Sequence, residues 1–198
     1  MNLLYDLGAH WGGSIDYFSK HLNNLDSWDV ISVEASNINY EKLKNKAEQY
    51  QNLFHNISLI NAFVYHKDSN IEFIEYTDDV HSVSSTYSKT KFDNHSKKKP
   101  EYANLSHNIL HPEIFNIVTS YKDNLDKYDE IIIKMDIEGA EYDILPSLID
   151  VISVNHTRNM YIEFHDKKVN IAPIVSHRWS NVIKNLGIQV GELNNILP

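Results

Sequence analysis

Short apolar runs alternate with longer amphipathic stretches along almost the whole chain. The runs at 30–33 and 131–133 are rich in β-branched residues, as strands buried on both faces of a sheet are. The stretches at 37–51 and 140–151 read instead as helices, with apolar residues at helical spacing. Such an alternation favours a mostly parallel sheet with helices on both faces. We therefore predict one Rossmann-like α/β domain spanning residues 1–198.

The individual elements follow from the same periodicities. Residues 77–128 are polar with weak periodicity, which is typical of a functional excursion or a mobile loop, and we predict a lid over the functional site there. We also predict that the C-terminal part of the domain is abbreviated. We expect strands at 3–5, 30–33, 57–65, 71–76 (a hairpin-like partner of the strand before it), 114–118, 131–136, 159–165 and 187–190. We expect helices at 14–25 (with Ser14 as a possible N-cap), 37–51, 123–128, 140–151 (kinked or ended by Pro146) and 171–186 (closed by Gly187).

Composition excludes several classes of protein. The net charge of -9 argues against sequence-independent nucleic-acid binding, which depends on cationic contacts to phosphates. The absence of cysteine excludes disulfides, Cys-based zinc sites and thiol nucleophiles. No apolar run approaches the roughly 20 residues of a membrane span, and the N-terminus lacks the pattern of a signal peptide. We expect a cytoplasmic protein without a membrane partner, and the sequence predicts no particular oligomeric state.

A glycine-rich turn, DLGAHWGGS at 6–14, follows the first predicted strand. Glycines allow a tight turn and close approach of a ligand, and doubly wound folds bind nucleotide-like ligands at this position. The spacing departs from the dinucleotide pattern, and the Lys of a phosphate-binding loop is missing. Asp6 indicates a ligand with a cationic group, such as the amine of S-adenosylmethionine. A plain strand-to-helix turn is the alternative.

Glu34 ends the second predicted strand, 22 residues beyond Gly12. An acidic side chain in this position of a nucleotide-binding fold accepts the two ribose hydroxyls. The alternative is a solvated loop carboxylate. Its combination with the glycine turn favours the ribose-binding role.

Two further motifs place charged residues at the ends of apolar strands. The first is KMDIEGAE at 134–141, and the second contains Glu163 and His165. Carboxylates beside a buried strand are costly unless they are paired or functional. Because alternating residues of a strand share one face, Asp136, Glu138, Glu163 and His165 are expected to converge in one cleft. A structural ion-pair network with Lys134 is the alternative.

Together these motifs resemble the FkbM family of class I methyltransferases. The resemblance rests on DLGAxxG at 6–12, Glu34, KxDxEGAExxxL at 134–145 and IExH at 162–165, in the family's order. Residues 82–86 also resemble the Ser-rich stretch that follows the third strand in this family. The resemblance implies S-adenosylmethionine as cofactor and methyl transfer, usually to a hydroxyl oxygen of a sugar, polyketide or similar metabolite.

The resemblance also implies roles for individual residues. Glu34 would hold the ribose, while Asp136 and His165 would face a small-molecule or glycan acceptor. His165 is the predicted general base, oriented by Glu163 or Asp136, with Asp136 as the second choice of base, and Glu138 completes the predicted catalytic residues. The predicted lid at 77–128 would lie over the acceptor. We predict no metal ion, although a divalent cation held by Asp136, Glu138 and His165 is an alternative. The predicted cofactor-binding residues are Asp6, Gly8, Ala9, His10 and Gly12 (methionine side), Glu34 and Ala35 (ribose side), Asn61 and Ala62 (adenine side), and Asp136.

The chain departs from the family pattern in the glycine turn, where His10 replaces the usual Asn and Trp11 is unusually bulky. It also begins directly at the first strand and ends soon after the last one. Three other functions compete with the methyltransferase hypothesis. They are an NAD-dependent oxidoreductase, a non-catalytic cofactor-binding module of the same fold, and a methyltransferase acting on RNA or protein.

Overall fold

The computed structural model describes residues 1–77, 85–87 and 105–192. In this part of the chain, a six-stranded sheet contains only parallel pairings. Its strands are β1 (Asn2–Leu7), β2 (Trp28–Glu34), β3 (Asn56–Asn61), β8 (Glu130–Met135), β9 (Thr157–Ile162) and β10 (Gln189–Glu192). Two smaller sheets pair β4 (Phe63–Tyr65) with β7 (Ile114–Asn116), and β5 (Phe73–Tyr76) with β6 (His107–Leu110).

Helices cover both faces of the six-stranded sheet, because its strands are apolar on both sides. On one face, Leu4 packs in a core with Ile15 and Leu43. On the other face, Tyr5 packs in a core with Ile144 and Ile183. The helices are α1 (Gly13–His21), α2 (Asn37–Ala47), α3 (Ile117–Asn124), α4 (Glu141–Ile149), α5 (Asp166–Val169) and α6 (Ile174–Asn185), with a 3₁₀ turn at Leu25–Ser27. The predicted Rossmann-like α/β fold is confirmed.

The strand order β10-β9-β8-β1-β2-β3 explains where a ligand site forms. Leu7 at the end of β1 pairs with Val33 of β2 and Met135 of β8, so three strands end at the same level. The chain order reverses direction between β1 and β8. Open α/β sheets bind ligands in the crevice at such a switch point, outside the carboxyl ends of the strands.

The predicted strand at 57–65 is wrong as a single element. β3 ends at Asn61, and after Ala62 the backbone leaves the main sheet because the Phe63 amide donates to the carbonyl of Glu113 at 2.8 Å. The predicted hairpin between this strand and 71–76 is also wrong. β5 pairs antiparallel with β6, which lies about 30 residues further along the chain.

The helix predicted at 123–128 is wrong, since α3 occupies Ile117–Asn124. The Asn116 side chain caps this helix by accepting from the Thr119 amide at 3.1 Å. Ile117 and Tyr121, one helical turn apart, are fully buried. The strand predicted at 114–118 therefore ends two residues early, at Asn116.

Other boundaries differ by a few residues. Ser14 is not an N-cap, because α1 follows Gly12 and the Ser14 hydroxyl donates to Asp6 instead. α4 continues through Pro146 to Ile149. β9 ends at Ile162, so Glu163 and His165 follow the strand rather than forming its last residues.

The predicted lid at 77–128 is described only in part, by β6, β7, α3 and their connections, and its role remains a prediction. Residues 82–84, which belong to the Ser-rich stretch, lie outside the described residues. None of the helices in the described ranges has both the length and the apolar character that crossing a membrane requires.

Candidate active site

The turn after β1 depends on Gly8. Its φ of +73° lies in the left-handed region, and a Cβ atom there would lie only 1.8 Å from the carbonyl oxygen of Asp136. The amides of Gly8 and Ala9 both donate to the carbonyl of Val33, at 2.9 and 3.0 Å. The turn is thereby packed tightly between the ends of β2 and β8, where only glycine fits.

Lys134 stabilises this turn, whereas the sequence indicated it only as an alternative ion-pair partner for the residues around His165. Its buried ammonium lies 3.2 Å from Asp6 and donates to the carbonyls of Leu7 and Gly8. Burial lowers the pKa of Lys134, but the carboxylates of Asp6 and Asp136 outweigh this effect and hold it above its ordinary value. The charge pattern of 134–141 was the available signal, because a Lys on a buried strand requires a partner.

Asp6 is fully buried in this network rather than placed on a cavity wall. One of its oxygens accepts from the hydroxyls of Ser14 (2.6 Å) and Ser32 (3.2 Å), while the other faces Lys134. The geometry therefore favours a role for Asp6 in holding the turn.

Two adjoining cavities open at the carboxyl edge of the sheet, with volumes of about 50 and about 160 Å³. Each is larger than a single water molecule requires. The smaller cavity is mostly apolar, with Val33, Ala35, Ala62, Phe63, Val64, Phe73 and Ile137 in its wall. The larger is polar and adds His10 and Asn39. Both share Gly8, Glu34, Ser85, Asp136 and Glu138.

Glu34 stands at the junction of the two cavities. One carboxylate oxygen accepts from the His10 amide and the other from the Ser36 amide, each at 2.9 Å. Burial raises its pKa to about 7, although these two hydrogen bonds and Lys134 act in the opposite direction. The side chain is thus held in one orientation, and each oxygen retains a lone pair for a further donor.

His10 contributes its ring to the polar cavity. Among the described residues, no hydrogen-bond partner reaches its buried Nε2 atom. Burial, followed by the charges of Lys134 and Lys42, lowers its pKa to about 4, so the ring is neutral near pH 7. The ring stacks on Trp11, whose indole N–H donates to Asn39 at 2.8 Å. A buried polar atom without a protein partner is suited to a bound ligand.

The remaining predicted cofactor residues divide into two groups. Ala35 and Ala62 line the apolar cavity. Ala9, Gly12 and Asn61 do not line either of the two cavities. The side-chain Nδ2 of Asn61 instead donates to the carbonyl of Glu34 at 2.9 Å, which ties β3 to the end of β2.

The predicted acidic cluster around His165 forms beside these cavities. Nε2 of the buried imidazole lies 3.2 Å from Glu138, 3.6 Å from Glu163 and 3.7 Å from Asp136. Burial holds the pKa of Asp136 above its ordinary value, although the charges of Lys134 and His165 act in the opposite direction. The predicted convergence of these four residues is observed, and their catalytic roles remain predictions.

The same cluster has a geometry that a divalent cation can use. One ligand atom each from Asp136, Glu138 and His165 lie within 4.8 Å of one another. Carboxylate and imidazole ligands suit Mg²⁺ or Mn²⁺. A metal-assisted reaction therefore stays open as an alternative to the metal-free one.

Glu138 occupies an unusual backbone conformation, with a φ of +56°. Its carbonyl accepts from the Thr86 hydroxyl at 3.0 Å, and Gly139 follows with a φ of +114°. Two consecutive residues with positive φ turn the chain sharply after β8. This turn directs the Glu138 side chain toward His165.

A glycine turn at the switch point of a parallel sheet, with a buried carboxylate at the end of the next strand, defines a Rossmann-like protein with a ligand cleft. The family model described as "Methyltransferase FkbM domain" matches residues 6–187. The chain therefore belongs to the FkbM methyltransferase family, and the resemblance seen in its motifs is confirmed. Searches of curated proteins and of solved structures found no significant match.

Proposed function

We propose that the protein transfers a methyl group from S-adenosylmethionine to a hydroxyl oxygen of a sugar or glycan-like small molecule. The cofactor assignment rests on the position of Glu34, whose fixed carboxylate lines both an apolar and a polar cavity. S-adenosylmethionine has the same division, with an adenine ring and an amino-acid end on either side of a ribose.

The chemistry of the cleft fits this cofactor. The Glu34 carboxylate would accept the two ribose hydroxyls through the lone pairs that its backbone partners leave available. Ala35 and Ala62 would contact the adenine ring in the apolar cavity. The buried Nε2 of His10 would hydrogen-bond the amino-acid end in the polar cavity.

When bound, S-adenosylmethionine supplies an electrophilic methyl group on a sulfonium centre. The main contribution of the protein is to hold donor and acceptor in line, since orientation alone lowers such barriers substantially. A hydroxyl acceptor must also lose a proton. His165 would take it at Nε2, and the surrounding carboxylates of Asp136, Glu138 and Glu163 would stabilise the resulting imidazolium.

A transfer assay tests this proposal. The purified protein is incubated with methyl-labelled S-adenosylmethionine and a panel of sugars, glycosides and hydroxylated metabolites, with and without EDTA. We expect acceptor-dependent formation of S-adenosylhomocysteine and label on an acceptor oxygen. Label only on nitrogen, or on RNA or protein added as competitors, would contradict the proposed acceptor class. Loss of transfer in EDTA would favour the cation alternative.

We expect cofactor binding to weaken at acidic pH. In the cofactor-free protein the pKa of Glu34 is raised to about 7, and two ribose hydroxyls require the ionised carboxylate. Binding then releases a proton below pH 7, so the Kd of S-adenosylhomocysteine should rise about tenfold between pH 8 and pH 6. His10 stays neutral throughout this range, because its pKa is about 4. Calorimetric titration at several pH values measures this change.

The matched control is Glu34→Gln, which cannot ionise. This variant should bind more weakly at pH 8 and show little change in Kd between pH 6 and pH 8. An equal pH dependence in the wild type and the variant would assign the effect to another group and contradict the role of Glu34.

A further inference from the structure

Glu141, the first residue of α4, is fully buried although it carries a carboxylate. One of its oxygens, Oε2, accepts from the Gly139 amide at 2.8 Å. The other, Oε1, accepts from the His165 amide and also lies 2.8 Å from Nδ1 of the His165 ring. A single buried carboxylate thus joins the turn after β8 to the segment after β9.

These contacts determine which ring nitrogen of His165 carries a proton. Both carboxylate oxygens already accept from backbone N–H groups, as expected for an ionised group. Nδ1 must then be the donor in its contact with Oε1. Nε2 is consequently the atom that faces Asp136, Glu138 and Glu163, at 3.2 to 3.7 Å.

We propose that Glu141 is a positioning residue for methyl transfer, whose carboxylate holds the protonated Nδ1 of His165 and thereby directs Nε2 toward the acceptor hydroxyl. This inference rests on the proposed function, since it requires His165 to act on the acceptor. It adds a residue to which neither the motif analysis nor the family assignment gave a role. Carboxylates that orient a catalytic or metal-binding histidine act in this way, by fixing the tautomer and the ring plane.

The positioning role of Glu141 must be distinguished from a purely structural one. Glu141 also satisfies the amides of Gly139 and His165, so its removal must destabilise the local backbone whatever the ring does. Stability alone therefore cannot distinguish the two roles. The protonation of the His165 ring can, because a structural cap acts on the backbone amides and not on Nδ1.

The first experiment measures the ring directly, in the full chain without cofactor and in EDTA. Long-range ¹H–¹⁵N correlation spectra of ¹⁵N-labelled protein identify the protonated ring nitrogen, and the His165→Gln variant assigns the signals. We expect a solvent-protected proton on Nδ1 of His165 in the wild type. In Glu141→Ala this proton should exchange rapidly with water, whereas Glu141→Gln, which keeps an acceptor oxygen, should retain it partly. An unprotonated Nδ1 in the wild type, or an unchanged ring in Glu141→Ala, would overturn the proposal.

The second experiment measures methyl transfer, with the acceptor selected by the labelling assay. We expect Glu141→Gln to lower kcat about tenfold to a hundredfold, as the loss of such orienting residues does, and to leave the Kd of S-adenosylhomocysteine within twofold. Asp143→Asn is the matched control, since this exposed carboxylate on the same helix contacts Tyr87 and Tyr65 instead of His165. A kcat of Glu141→Gln equal to that of Asp143→Asn would overturn the positioning role.

The two experiments separate the failure of this inference from the failure of the proposed function. The spectra are recorded without cofactor or acceptor, so they test the contact between Glu141 and His165 even if the acceptor class is wrong. Full turnover in a His165 variant would contradict the proposed base. An altered ring with unaltered turnover in the Glu141 variants would contradict only the positioning role.

Discussion

Gly8→Ala is expected to destabilise the protein by at least about 3 kcal/mol, or to prevent its folding. A non-glycine residue in the left-handed region costs about 1–2 kcal/mol. The new methyl group would in addition overlap the carbonyl of Asp136, which cannot move without displacing the end of β8. Chemical denaturation followed by circular dichroism measures the change.

Gly13→Ala is the matched control for this prediction. Gly13 begins α1, its φ is not in the left-handed region, and a Cβ atom there would meet nothing within 4 Å. Because alanine favours helix over glycine, this variant should be as stable as the wild type or slightly more stable. Equal stabilities of the Gly8 and Gly13 variants would show that the close packing described for the turn is wrong.

His165→Ala is expected to lower turnover by about 10² to 10⁴, the range that general acid–base catalysis contributes. Cofactor affinity should stay within about twofold, because His165 does not line either of the two cavities. His165→Asn should lose turnover equally, while its amide can still donate to Glu141. Steady-state kinetics and calorimetry with S-adenosylhomocysteine measure the two properties separately.

His177→Ala provides the control, since this histidine is exposed on α6. It should change neither turnover nor cofactor affinity. A large loss of cofactor binding in both His165 variants would contradict the assignment of His165 to the acceptor side. Unchanged turnover would exclude it as the base.

The carboxyl edge of the sheet was predictable because strand ends meet there in any parallel sheet. Glu34, Asp136 and Glu138 were placed at the ends of buried strands from the sequence, and all three line the observed cavities. Their position depends only on the strand order. The outline of the cleft was therefore predictable from the sequence.

Contacts over long sequence distances were not predictable in this way. Only Asn61 and Ala62 separate the apolar residues of β3 from those of β4, and the pairing of Phe63 with Ile114 shows that the chain leaves the main sheet. Asp6 is predicted as a cofactor contact because the charge pattern of 134–141 indicates that Lys134 needs a partner, but not that Asp6 is this partner. Glu141 was missed because its partner His165 lies 24 residues away.

α3 was misplaced for a local reason. The β-branched run at 114–118 is typical of a strand, and this feature concealed the capping residue Asn116 within it. The signal that was available is the Asn followed by apolar residues at 117 and 121, one helical turn apart. In the structure both side chains are buried, and this packing favours the helix over the strand that the β-branched residues indicate.

The central claim is that the cleft at the carboxyl edge of the sheet binds S-adenosylmethionine through Glu34. Calorimetric titration of the wild type and Glu34→Ala with S-adenosylmethionine and S-adenosylhomocysteine at pH 8 tests it most directly. We predict micromolar binding to the wild type and a loss of at least about 1.4 kcal/mol in the variant, a tenfold change in Kd. Absence of binding of either ligand to the folded wild-type protein would contradict the claim.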